Sequence, residues 1–219
     1  HLSTQYCNTI HSSLKFFYRF VLRKPWDQDL VPRMTNDLSL PKVTELSNIE
    51  RMIDVAREVR NKAIIALLYS SGLRVSELCR LAPQDIYLST MQVHVRSGKN
   101  HCDHWTILSQ KAADLLVEYW KSNPRKRDYL FVSLKAPYKP LSKNGVRCMI
   151  RKIGDEAGVP HAHPHLLRHS FASHMIEHDV SLPYVQSTQR YIHVSNKALM
   201  GIQSPLDHAS KEGAVNAHD

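Results

Sequence analysis

Ala63 to Tyr69 reads Ala-Ile-Ile-Ala-Leu-Leu-Tyr, a run with no polar face at all. It is far short of the roughly twenty residues that span a bilayer, so other parts of the chain must surround it. A central, fully buried helix is therefore predicted. Gly72 is placed to end it in a left-handed turn, and the next charged residue is Arg74. A guanidinium leaving directly from a core element is held rigidly, as stabilising charge in a transition state requires. Taken alone, Arg74 and Glu77 would read as a surface pair at helical spacing.

The elements around that helix follow from periodicity. Leu14, Phe17, Tyr18 and Val21 recur among Lys15, Arg19, Arg23 and Lys24, predicting an amphipathic first helix with a basic side. Pro25, Pro32 and Pro41, with Asn36 and Asp37, mark a connector. A second helix is predicted from Ser47, with Ser47 and Glu50 as a capping box and Ile49, Met52, Ile53, Ala56 and Val59 as its stripe. Val93 and Val95 alternate with Gln92, His94 and Arg96 before Ser97-Gly98-Lys99-Asn100 and then Trp105 to Ile107, predicting a hairpin with a lysine near its tip. Helices are predicted at about Gln110 to Lys121 and Lys143 to Ala157, the latter capped by Ser142 and closed by Gly158. Leu130-Phe131-Val132 is at most a short strand. The fold class is mainly α with a small antiparallel β-sheet. Residues 1–34 read as the remnant of a helical N-terminal domain, 35–42 as a linker, 43–194 as the main domain and 195–219 as a tail. In that tail Ala198, Leu199 and Ile202 have helical spacing that would suit docking on a neighbouring subunit.

Of the 219 residues 42% are hydrophobic and 22% charged, the balance of a folded domain, while the formal net charge is +9 with fourteen histidines in addition. Between Lys121 and Lys152 lie ten Lys or Arg and a single acid, Asp128. A solvated basic face is the ordinary meaning of such a run. Its spread over structured segments suits a surface that follows a phosphate backbone, which makes nucleic acid the expected partner. Cys7, Cys79, Cys102 and Cys148 have no framework spacing, so free thiols, no membrane span and a cytoplasmic protein are expected.

A second cluster is His163-Pro164-His165-Leu166-Leu167-Arg168-His169-Ser170-Phe171-Ala172-Ser173-His174. If Pro164 opens a helix, His165 and Arg168 share a face and can grip one anion. Zinc is the obvious competitor for so many histidines, but no acid or cysteine stands at a recognised ligand spacing, and no metal is expected.

Four segments in order resemble the motifs of the tyrosine recombinase (phage integrase) family, from about Leu40 to Val194. They are Gly72-Leu-Arg-Val-Ser-Glu-Leu78, the hairpin lysine Lys99, His165-Leu-Leu-Arg-His-Ser-Phe-Ala-Ser-His174 and Thr188-Gln-Arg-Tyr191. Alone, Tyr191 would read as a packing tyrosine and Lys99 as a solvated turn residue; their joint occurrence in order is what counts. The resemblance implies that Arg74 and Arg168 contact the non-bridging oxygens of a scissile phosphate. It implies that His165 holds that phosphate or moves a proton, that Lys99 protonates the leaving 5′ oxygen, and that Tyr191 is the nucleophile of a 3′-phosphotyrosyl intermediate. Double-stranded DNA is then the partner, bound by a homo-tetramer on paired sites. Two guanidiniums offer forked donors to the phosphoryl oxygens without a metal. A protein ester conserves the phosphate bond energy, so no cofactor is implied, consistent with the lack of a P-loop.

The sequence departs from the family in one place. A Leu-Gly-His segment normally lies between the second arginine and the tyrosine, whereas here Val185-Gln186 runs straight into Ser187, about nine residues short. No residue can be assigned to that histidine. Either a stretch of the molecule lies outside this sequence or the segment is deleted. Only about one helix precedes Pro25, so the N-terminus reads as trimmed. The competing functions are a type IB topoisomerase-like enzyme, a DNA-binding relative without catalysis, and a zinc nuclease.

Overall fold

A computed structural model of the chain describes residues 3–27, 32–35, 43–96, 103–122, 128–133, 139–177 and 204–207. The chain divides into two compact units, His1–Pro41 and Lys42–Asp219.

The first unit holds α1 (Thr4–Phe20), begun by Ser3, whose hydroxyl accepts from the Tyr6 amide. Asn8 is buried and clips the connector to the helix: its side-chain amide donates to the Met34 carbonyl at 2.9 Å and accepts from the Met34 amide at 3.0 Å. Leu14, Phe17, Tyr18 and Val21, the apolar face expected from the sequence, remain exposed.

The second unit is built round the predicted buried helix, α3 (Val59–Ser70). Every residue from Ala63 to Ser70 is buried, and α2 (Leu46–Val55), α5 (Gln110–Ser122) and α7 (Pro164–Glu177) pack against it. Each leucine or isoleucine taken fully from water contributes about 1.5–3 kcal/mol, which is why an all-apolar helix belongs at the centre. The described residues also include α4 (Val75–Leu78) and α6 (Lys143–Glu156), with a 3-10 turn at Pro83–Asp85. The sheet is antiparallel in the order β1 (Ile86–Tyr87), β2 (Gln92–Val95), β3 (His104–Ile107). Its register pairs Val93 with Thr106 and Val95 with His104. This is the mainly α fold with a small antiparallel sheet expected from the sequence.

Several local expectations change. Helix α2 begins at Leu46 with Glu45 in the cap position and no side-chain cap. The Ser47 hydroxyl donates to the Glu45 carboxylate instead of capping. The predicted stripe is shared between two helices, because Ala56 is extended and Val59 starts α3. Strand β1 and the short α4 carried no period of their own. Leu130, Phe131 and Val132 are buried, tied by the Leu130 amide to the Leu81 carbonyl and by a single bridge from Val132 to Pro140. Helix α6 is as predicted, with the Ser142 hydroxyl accepting from the Gly145 amide at 2.9 Å and Gly158 beyond its end at φ +72°.

Near the C-terminus, Leu206 is fully buried in the second unit's core. Asp207 accepts from the amides of Gln110 and Lys111 at 3.1 and 3.4 Å, joining Ser109 in capping α5. The tail positions Ala198, Leu199 and Ile202, and the Gln186–Ser187 junction, lie outside the described residues.

Candidate active site

Helix α3 ends at Ser70 and the chain turns through Gly72 at φ +56°, which a side chain would resist. The turn also needs glycine for space: an added Cβ would lie 2.5 Å from the Phe171 ring of α7. Helix α7 can therefore press against the turn, and two arginines from different elements meet there.

Arg74 caps α4, and Glu77 three residues on holds it twice. One carboxylate oxygen accepts from the Arg74 guanidinium and the other from its backbone amide, both at 2.7 Å. Glu77 is buried, and its second oxygen also lies 3.9 Å from the Arg168 guanidinium. Arg168 comes from α7 and is only 6% exposed. Its guanidinium donates to the Gly72 carbonyl as well. Burial, and then the charge of Arg74, push the Arg168 pKa down to about 10, against the pull of Glu77. It remains a cation at neutral pH, so two positive groups converge on a single carboxylate. That leaves a net positive charge in a partly buried setting, where it acts more strongly on an incoming anion than in bulk water.

Pro164 is the first residue of α7, so His165 stands in its first turn, one turn before Arg168. The His165 ring is exposed, with His169 at 6.3 Å between ring centres. Its pKa is lowered by partial desolvation first, then by the positive neighbours His169, His163, Arg168 and Arg147. A neutral imidazole in such a place can accept a proton. A cleft of about 590 Å³ opens beside Arg74 and Glu77, lined also by Ser76, Arg80, Tyr129 and Lys143; neither Arg168 nor His165 lines it.

Arg74 and Arg168 are thus brought together and His165 is placed on the same helix as Arg168. Lys99 and Tyr191 lie outside the described residues. Among the described tyrosines, Tyr69 is sealed in the core, where its hydroxyl is 2.7 Å from His174 Nδ1. Burial, and next the charge of Glu177, push its phenol above the usual range. It is a packing residue, not a nucleophile. One residue that sequence reading passed over is His104 on β3, whose ring interacts electrostatically with Glu77, Arg168 and Arg74. The strand's alternation could have shown that it faces inward with Thr106.

Among the described residues no group of three His, Cys, Asp or Glu could hold a metal ion, and no helix is long and apolar enough to cross a membrane. Cys7, Cys79 and Cys148 are free thiols.

Residues 42–198 match the family model described as the Phage integrase family. The chain is 34% identical to the tyrosine recombinase XerC of Bacillus pumilus, covering 86% of this chain and 70% of that protein. It is 32% identical to the tyrosine recombinase XerA of Pyrococcus horikoshii, covering 88% and 70%. The crystal structure of XerA recombinase superposes with a TM-score of 0.65 at 25% identity, over 100% of this chain and 78% of that one. A mainly helical domain with a small antiparallel sheet, carried by a sequence with these relatives, defines a DNA strand-transferase. The chain belongs to the phage integrase family and is a tyrosine-type site-specific recombinase.

Proposed function

We propose that this protein cleaves and rejoins double-stranded DNA through a phosphotyrosyl bond, with Arg74 and Arg168 clamping the scissile phosphate and Tyr191 as nucleophile. The observation that carries it is the convergence of both guanidiniums on Glu77 beneath the Gly72 turn. One buried carboxylate fixes two cations that arrive from separate elements, and a guanidinium's forked geometry suits a phosphoryl oxygen.

The reaction balances within this set. The Tyr191 oxygen attacks phosphorus, a bond forms between them, and the bond from phosphorus to the 5′ oxygen breaks. The phenolic proton passes to His165, whose lowered pKa leaves it neutral and receptive, and Lys99 supplies a proton to the leaving oxygen. A phenol with a pKa near 10 is a weak nucleophile at neutral pH, so the cationic site also favours its anion. Reversal with a new 5′ hydroxyl rejoins the strand. No cofactor enters these steps. Exchange between two duplexes calls for a homo-tetramer on paired sites, and the reading is of a cytoplasmic protein working on DNA. The tail, 195–219, is assigned to contacts with a neighbouring subunit in that assembly, apart from residues 204–207, where Ser204 and Leu206 are buried in this chain's own core and Asp207 caps α5. Residues 1–34, 35–42 and 43–194 are assigned as a helical DNA-clasping unit, a linker and the catalytic domain.

The test is a library of nicked duplexes with randomised cores, from which denaturation-resistant protein–DNA adducts are captured. Adducts with the wild type and none with Tyr191→Phe are expected. A protein that binds the library and yields no adduct would overturn covalent catalysis and leave a DNA-binding relative. Adducts that reseal without ever joining two duplexes would indicate a topoisomerase-like activity.

A further inference from the structure

His104 opens β3 opposite Val95. Side chains alternate across a strand, so His104 shares a face with Thr106. The Thr106 hydroxyl donates to the Ser71 carbonyl at 2.8 Å, next to Gly72. The other face carries Trp105, which stacks on His94 and meets Tyr87 edge-on. His104 is therefore turned inward, toward the turn that leads into Arg74, and its ring is half-buried. The charged groups that act on it are Glu77 and Arg74 from α4 and its cap, Arg168 from α7, and Asp103 beside it on the chain.

We infer that His104 is a further residue of the phosphate site, a proton-linked third cation that becomes charged when a phosphodiester occupies the site of Arg74 and Arg168. The inference rests on the reading of those arginines as a phosphate clamp. In the empty site, burial and then the two arginines weigh against a proton on the ring, outweighing the pull of Glu77 and Asp103, and the pKa is lowered. One negative charge from a bound phosphate opposes that penalty. If the anion strengthens proton binding, the proton strengthens anion binding by the same factor. A plain packing histidine would show no such coupling. The charged imidazole would also add to the stabilisation of negative charge as the phosphoryl group transfers.

The test is an NMR titration of the histidine rings in the full chain, with the His104 signal assigned by its loss in His104→Gln. It is run with and without a short DNA duplex of arbitrary sequence. The His104 pKa is expected to rise by about one unit with saturating duplex, equivalent to a tenfold change in affinity, and to rise in the DNA-free protein when Arg74→Gln removes one repelling charge. His104→Arg should bind duplex with a flatter pH dependence than the wild type, and His104→Gln more weakly than the wild type at low pH. A His104 pKa that DNA leaves unmoved would overturn the inference, whatever the adduct experiment gives. Absence of adduct with a His104 pKa that does move would instead overturn covalent catalysis and leave this inference standing.

Discussion

The Gly72 carbonyl accepts a hydrogen bond from the Arg168 guanidinium, so the turn that stops one core helix also aims the arginine carried by another. Gly72 is bound to this place twice over, by its positive φ and by the Phe171 ring, which fills the space a Cβ would need.

Gly72→Ala should therefore cost stability by two separate routes. Left-handed geometry costs an alanine about 1–2 kcal/mol, and overpacking against the ring adds about 1–3 kcal/mol. A urea-denaturation midpoint measures the sum. Phe171→Leu in the same chain should recover part of the packing loss and none of the backbone loss. If the double variant is no more stable than Gly72→Ala alone, the contact with Phe171 does not carry the cost.

Glu77 is the carboxylate shared by both arginines. Glu77→Gln keeps the shape and removes the charge, leaving two cations with no negative charge between them. Breaking a buried pair costs about 3–5 kcal/mol, and Arg74 keeps 28% of its side chain in solvent, so about 2 kcal/mol is the expected loss. Adduct formation should fall along with it, because Arg74 loses its orientation. An unchanged denaturation midpoint would show that Glu77 holds neither arginine in solution.

Arg168→Lys tests whether a forked donor is needed. A lysine can supply the charge but cannot donate to the Gly72 carbonyl and a phosphate oxygen with the same fixed geometry. Loss of one such donor lowers turnover by about 10²–10³, while binding to DNA, spread over many cations, should change little. Equal loss in binding and in adduct rate would mean that Arg168 serves the ground state alone.

Asp207 reaches across to the start of α5, far away in sequence. Asp207→Ala removes a capping acceptor and a negative charge from a helix N-terminus, and should cost about 1 kcal/mol. Hydrogen exchange at the amides of Gln110 and Lys111 would report it locally. Unaltered exchange there would show that Ser109 alone secures the helix end.

The parts of the fold that could be read in the sequence are those in which one physical demand dominates. An all-apolar run had to be central, Gly72 had to turn, and Ser142 with Gly158 marked both ends of α6. The expected start of α2 at Ser47 failed because the helix already begins at Leu46, which puts Ser47 inside the first turn, past the position from which a hydroxyl can cap. Strand β1 has two residues and shows no period. In the site, Arg74 and Arg168 stood out through their motifs, but the sharing of Glu77 with Arg168 joins α4 to α7 and is visible only in three dimensions. The same holds for His104, whose role depends on which face of β3 meets the Gly72 turn.

The pH dependence of stability follows from two histidines. His104 and His165 both have lowered pKa values in the folded chain, burial being the first cause in each. In the unfolded chain each titrates near the ordinary value of about 6.5. Below that value the unfolded state takes up protons that the folded state still refuses, so stability falls as pH drops through 6.5 toward the lowered folded values. Above it both states are neutral and these residues contribute no slope. The urea midpoint should therefore drop on acidification from pH 7.5 to 5.5, and drop less in His104→Gln and in His165→Gln than in the wild type. His104 should account for the larger share, since its ring is half-buried while His165 is exposed. If each variant loses as much stability on acidification as the wild type, neither imidazole is held neutral by the fold.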